Sequence, residues 1–224
     1  MKILAIECTH GFASVAVSNA GNVAEQRLAE WQKTAEALVP LVEQVMADAG
    51  LQPADLDGVA VSSGPGSFTA LRIGMSVAKG IAFGADLPLA PVPTLIALAS
   101  SVLPHTDALH IVPVIPSRAS EYFAAICRRD GGELVEVESF RCDAAELPGR
   151  LASLGADFAI AGRGVQVIAD EVSQLAPHCV EASSFSASSL LPFARKALAE
   201  NGAEASAEAV PDYRQAFVPR SVRS

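Results

Sequence analysis

Short apolar runs alternate along this chain with longer stretches of helical periodicity. Residues 2–6 form a near-continuous apolar run, as a strand buried on both faces does, and residues 13–17 and 23–28 flank a turn-forming stretch, 18–22, that reads as a hairpin. A helix follows over 34–49, closed by Gly50. Then come a strand at 58–62, a glycine-rich loop, GPGSFTALRIG, that leads into a helix ending at Gly84, an apolar segment at 87–92, and a helix over 94–103.

From Leu109 the same order returns. Strands at 110–115, 122–127 and 134–140, the last two joined across Arg129-Asp130-Gly131-Gly132, precede a helix over 143–154, a strand at 158–161, the turn Gly162-Arg163-Gly164 and a helix over 165–172. Ser186 or Ser188 caps a last helix that stops at Asn201-Gly202. The order β-β-β-α-β-α thus occurs twice, with a seam at 104–108. This duplication predicts an α/β protein of two similar domains facing each other, 1–106 and 107–224, with the tail 205–224 available to pack back on the first.

Two helices of the first half are apolar over more of their circumference than one buried face needs. On the first, Leu38, Leu41 and Val45 form one flank and Val39, Val42 and Met46 the next, an arc of about 160° at ~100° per residue. On the second, Leu71, Met75, Ala78 and Ala82 form one stripe and Ile73, Val77 and Ile81 another, leaving Arg72, Ser76 and Lys79 as a narrow polar strip. Either both helices are sandwiched inside the chain, or one stripe of each packs on the sheet and the other on a partner. The candidate interface comprises Leu38, Leu41, Val42, Val45 and Met46 with Leu71, Arg72, Met75, Ala78 and Ala82, and the wheels leave open which flank faces outward.

Charge and composition narrow the function classes. The chain has 224 residues, half of them hydrophobic, and a net charge of −9, which repels polyanions unless a local patch overrides it. Its basic clusters, Arg128 with Arg129, and Arg214, Arg220 and Arg223 in the tail, lack the interleaved aromatics of a nucleic-acid stacking platform, so any nucleic acid is expected to be held by something else. The start MKILAIE is too short for a signal-peptide core and no run reaches membrane-helix length, which predicts a cytoplasmic protein with no membrane contact. Cys8, Cys127, Cys142 and Cys179 are too dispersed for a zinc cluster and are expected to be reduced thiols. His10, His105, His110 and His178 form no close metal-binding pair.

Known phosphate loops fail against the glycine-rich stretch. A Walker loop needs a lysine that is missing between Gly64 and Met75; a dinucleotide fingerprint needs a third glycine near Thr69 and a later acid; a hydrolase elbow needs glycine two residues after Ser67. Gly64 and Gly66 are therefore expected to turn the chain tightly and bring helix and sheet together, with Ser67 or Thr69 as helix cap and anion binding secondary. Glu7, Thr9, Gly64, Gly66 and Ser67 are the weak candidates for cofactor contact; no catalytic residue and no metal ligand is assigned. Glu7 is either a metal or water contact at the mouth between the halves or a structural bridge to the Gly64 loop, and the structural role is preferred. Thr9 and His10 sit at the same mouth, and Arg118 is expected to pair with Glu121 across a strand start.

GPGSFTALRIG, following a strand and preceded by ILAIE, resembles the signature of the bacterial tRNA threonylcarbamoyladenosine biosynthesis family TsaB, also called YeaZ, in which glycine is common at the position of Ala70. LVPLVEQVMADAG with its internal Pro40, PVPTLIALAS, IPSRASEYFAAI and the tail PDYR resemble further segments of that family, although Gln215 stands where arginine would follow. The resemblance implies two tandem domains of the actin-like (ASKHA, RNase H-like) type. It also implies a non-catalytic partner of the transferase TsaD and the ATPase TsaE in threonylcarbamoyl transfer to the tRNA adenosine beside the anticodon. The first two helices would then pair with those of TsaD or of a second copy as a homodimer.

The chain departs from that pattern at Glu7, where aspartate is common, at Lys33, where histidine is common, and at Pro116, which displaces the acid of the second half. Arg163 stands where nucleotide binders of this fold need flat glycine backbone. No cofactor of its own is expected, with ATP held only weakly or at an interface shared within the complex. An ATPase or small-molecule kinase of the same fold, and a glycoprotease-like hydrolase, are the alternatives; the first is disfavoured by Pro116 and Arg163, the second by the lack of metal ligands or an activated nucleophile.

Overall fold

The computed structural model describes residues 1–9, 11–28, 30–117, 120–131, 133–165, 178–201 and 212. The first half supplies β1 (Ile3–Glu7), β2 (Ala13–Asn19), β3 (Asn22–Leu28), α1 (Thr34–Asp48), β4 (Gly58–Gly64), α2 (Phe68–Gly84), β5 (Leu89–Pro93) and α3 (Thr94–Ser101). The second half supplies β6 (His110–Pro116), β7 (Glu121–Asp130), β8 (Glu133–Asp143), α4 (Leu147–Leu151), β9 (Phe158–Gly162), β10 (His178–Glu181) and α5 (Leu191–Asn201).

Strand order states the duplication more sharply than element order does. The first sheet runs β3-β2-β1-β4-β5 and the second, read from its other edge, β8-β7-β6-β9-β10. In both, the first three strands are antiparallel and the last two run parallel to the central one. The predicted β-β-β-α-β-α unit is therefore present in the first half and each half carries one further strand. Both extra strands are short edges, β5 with Pro91 and Pro93 and β10 with four residues. An edge strand tolerates a missing N–H and needs no long apolar run, so neither carries a strong sequence signal.

Local chemistry explains the other differences. The hairpin turn contracts to Ala20-Gly21, both left-handed at φ 49° and 92°, so the strands reach the Asn19 and Asn22 pair. The helix expected over 143–154 is broken into a 3-10 turn, the five-residue α4 and a second 3-10 turn, because Pro148 and Gly149 lie in its middle. The helix expected over 165–172 lies outside the described residues apart from Val165. Cys8, Cys127 and Cys142 are buried and Cys179 is partly so, all unbridged. Among the described residues no group of three potential metal ligands occurs, and no helix is long and apolar enough to cross a membrane.

β1 is buried at all five positions because it is covered on both faces. Leu4 and Ile6 face a cluster formed with α1 and α2; Ile3 and Ala5 face a second cluster that fills the space between the two sheets. Two helices occupy that central layer, and each reaches across it. α3, from the first half, packs on β6, β7 and β8, while α5, from the second half, packs on β5, β1 and β4. Leu95 and Leu98 of α3 and Leu190, Leu191 and Leu198 at α5 thus belong to one apolar body with Phe123 and Phe185.

A shared central layer couples the halves. Leu98→Ala removes a fully buried side chain and is expected to cost about 2–5 kcal/mol. Denaturant unfolding followed by circular dichroism should stay a single transition shifted as a whole; a variant that splits it into two steps would show the halves to be independent.

Candidate functional site

The glycine-rich loop leaves the carboxyl end of β4 and enters α2. Its glycines are required by close approach. A Cβ at Gly66 would stand 2.6 Å from Thr9 Cβ, one at Gly74 would stand 2.5 Å from Cys8 Sγ, and one at Gly64, φ 114°, would collide with the Asp212 carbonyl. The backbone donors of the turn are engaged as well. Gly64 N–H donates to Thr94 Oγ1 at 3.1 Å and Ser67 N–H to the Thr9 carbonyl at 3.1 Å, so two amides that a phosphate would require are already paired. Asp212 N–H donates to the Ser63 carbonyl at 2.7 Å. Ser67 occupies the N-cap position of α2 without a side-chain cap bond, and Thr69 lies inside the first turn, so neither hydroxyl caps the helix as expected.

Glu7 closes β1 beneath this loop and is fully buried. Its Oε1 accepts Thr9 N–H at 2.7 Å and the Thr9 hydroxyl, which fixes the Thr9 carbonyl that Ser67 uses. Oε2 is buried without a hydrogen-bond partner. Burial pushes the Glu7 carboxyl above its ordinary value, opposed by the Thr9 hydrogen bonds and by Arg163, and reinforced by Glu25. Glu7 thus braces Thr9 and, through the Thr9 carbonyl, the start of α2. Cys8 beside it donates to the Ala70 carbonyl at 3.2 Å, and burial pushes its thiol far up, away from thiolate chemistry.

Several second-half candidates are rearranged. Pro116 ends β6 exposed, and Glu121 pairs with Arg141 of β8; Arg118 and His10 lie outside the described residues, as do Arg214, Arg220 and Arg223. Arg163 projects from the turn after β9 toward the first half, its guanidinium 3.6 Å from the centroid of the Phe12 ring.

The candidate interface needs correction. Leu38, Val42, Val45 and Met46 of α1 and Leu71, Met75, Ala78 and Ala82 of α2 are at most 7% exposed, and all but Leu71 belong to the core cluster formed with β1, β2 and β4. Of the ten, only Leu41, half-buried, and Arg72, exposed, reach the surface. On α2, Ile73, Val77 and Ile81 are left partly covered, and on a separate strip of the same helix Phe68 is 41% and Phe83 91% exposed; on α1, Val39 is 48% exposed. The Arg72 guanidinium covers the Phe68 ring at 4.0 Å. The sequence carried a signal for these aromatics: at ~100° per residue Phe68 and Phe83 fall in phase with Arg72 and Ser76, on the strip read as polar.

The Glu7 shift sets a pH dependence. A carboxyl whose folded pKa lies above the unfolded value of about 4.5 stabilises fully below that value and loses this contribution as pH rises through the folded pKa. Glu7→Gln retains an acceptor for Thr9 without the charge. It is expected to flatten the decline in melting temperature between pH 5 and pH 8 and to melt above the parent at pH 8; parallel curves for the two proteins would remove Glu7 as the source.

Comparison with known proteins agrees with this fold. The sequence model of the family TsaD, tRNA N6-adenosine threonylcarbamoyltransferase, matches residues 30–214. The Escherichia coli tRNA threonylcarbamoyladenosine biosynthesis protein TsaB is 35% identical over 131 residues, 58% of this chain and 56% of that protein. The chain thus spans just over half the length of the curated relatives it matches. The crystal structure of YeaZ from Pseudomonas aeruginosa superposes with a TM-score of 0.81 at 25% identity, covering 95% of this chain and 99% of that one. A ROK family protein from Streptococcus pneumoniae, with a TM-score of 0.50 at 10% identity over 88% of this chain and 99% of that one, shares the fold alone. The fold is two tandem actin-like domains, and the chain belongs to the TsaD family, on its TsaB (YeaZ) branch.

Proposed function

We propose that the chain is a non-catalytic subunit for threonylcarbamoyl transfer to the tRNA adenosine beside the anticodon, and that it supports a TsaD-like transferase together with a TsaE-like ATPase. The observation that carries this reading is the outward face of α1 and α2. Val39, Phe68 and Phe83 are large apolar side chains exposed on these two helices, and Ile73, Val77 and Ile81 of α2 are only partly covered. Exposed apolar surface concentrated on two neighbouring helices suits a helical partner. The same face serves a second copy of the chain when the transferase is missing. The paired amides of the Gly64 loop argue against the nucleotide-hydrolysing alternative, since a phosphate would have to displace Thr94 and Thr9 from them. The net charge of −9 favours tRNA contact within an assembled complex over contact by the chain alone.

A charge placed on either face separates partner binding from folding. Met75→Asp, at a position 4% exposed, is expected to abolish cooperative melting. Val77→Asp and Phe83→Asp are expected to leave circular dichroism and melting unchanged, yet weaken co-elution with the transferase or with a second copy by tenfold or more, about 1.4 kcal/mol. Folded Val77→Asp and Phe83→Asp proteins that still co-elute at the parent concentration would overturn the reading.

A further inference from the structure

Proteins built as two α/β lobes that take a ligand between them open and close about a hinge. Here the mouth between the halves is filled by the chain itself. The Arg163 guanidinium leaves the turn after β9, stacks at 3.6 Å on Phe12 from the segment preceding β2, and donates to the Phe185 carbonyl at 2.7 Å. Gly11, at φ 87°, gives it room: a Cβ there would lie 3.4 Å from Nη1. The turn that launches Arg163 is fixed by Gly164 N–H, which donates to both Glu181 carboxylate oxygens at 3.1 Å.

Further contacts tie the same second-half segment to the first sheet. Glu25 of β3 accepts Ser188 N–H at 3.2 Å and the Ser188 hydroxyl at 3.1 Å, while Ser14 of β2 accepts Ala187 N–H at 2.9 Å in a buried position. Arg27 donates to the Ser183 carbonyl at 3.3 Å and lies 5.2 Å from the centroid of the Phe12 ring. β3 is thereby held at both ends of the stretch 183–188 and β2 near its end at Ala187, and α5 then packs along the first sheet.

We propose that Arg163 is a latch: its guanidinium occupies the mouth between the halves as a built-in ligand and, with the Glu25 and Ser14 clamps, holds the two sheets at one fixed separation. Arg163 is a positioning residue, since it acts on the angle between the halves and on no reacting atom. A planar fork suits the role: one face lies on the Phe12 ring while an edge N–H reaches a carbonyl, which lysine cannot do at once. The inference does not rest on the partner reading, because it concerns the isolated chain.

Electron paramagnetic resonance distances between spin labels on the two outer strands test it, with Val23→Cys on β3 and Val137→Cys on β8 in a Cys179→Ser background. The protein with Arg163 intact is expected to give one narrow distribution that Mg-ATP leaves unchanged. Arg163→Ala is expected to add a population shifted to longer distance, and millimolar methylguanidinium is expected to restore the narrow one by refilling the vacated space. An Arg163→Ala distribution as narrow as the parent overturns the latch, and so does a broadened one that methylguanidinium leaves broad, or an Arg163-intact protein that shifts with Mg-ATP. If Arg163→Ala does not melt cooperatively, Arg163→Lys is measured in its place, since it keeps the cation without the fork: an added longer-distance population supports the latch and a parental distribution overturns it.

Discussion

Everything in this molecule hangs on the apolar layer between its two sheets. Each half builds a sheet with one face toward that layer, and each contributes the helix that fills the other's face: α3 lies on the second sheet and α5 on the first. Burial at roughly 25 cal/mol per Å² makes such a layer the dominant stabilising contact. Because the helices are exchanged, neither sheet can keep that face from water alone. The arrangement also leaves α1 and α2 on the outer side of the first sheet, with Val39 and Phe83 exposed there.

The glycine-rich loop follows from that geometry. α2 must lie close over the ends of β1 and β4, and three glycines remove the side chains that would collide with Cys8, Thr9 and the backbone at Asp212. Glu7 and Thr9 supply the polar bracing: the carboxyl holds Thr9, and the Thr9 carbonyl receives the Ser67 amide. A loop of phosphate-binding appearance is thus spent on fixing where α2 starts, and with it the ridge from Phe68 to Phe83.

Buried charge at the mouth carries a cost. Glu7 has one oxygen without a partner in a dry position, and Arg163 loses hydration on the other side, each partly offset by the attraction between them. Such a pairing is weak as a source of stability, because the cost of burial offsets the attraction between the two groups. It sits where the second half reaches across to β2, so its effect falls on the relation between the halves.

Periodicity and turn signals determined the order of β1 to β4 with α1 and α2 in the first half, where apolar runs, the hairpin turn before β3, and 3.6-residue stripes followed by glycine, as at Gly50, mark the elements. Periodicity also determined that α1 and α2 have more apolar surface than one face needs. It could not show the edge strands β5 and β10, whose pairing is supplied by their neighbours, nor the break at Pro148-Gly149 within an otherwise helical stretch. The side of α2 that faces outward was decided only by tertiary structure: a helical wheel fixes relative angles between residues, and the sheet that accepts the Leu71, Met75, Ala78 and Ala82 stripe sets the absolute one. The sequence likewise offered Arg163 as a bulky cation in a glycine turn, but Phe12, on which it stacks, belongs to the other half, and only the packing of one half on the other brings the two within reach.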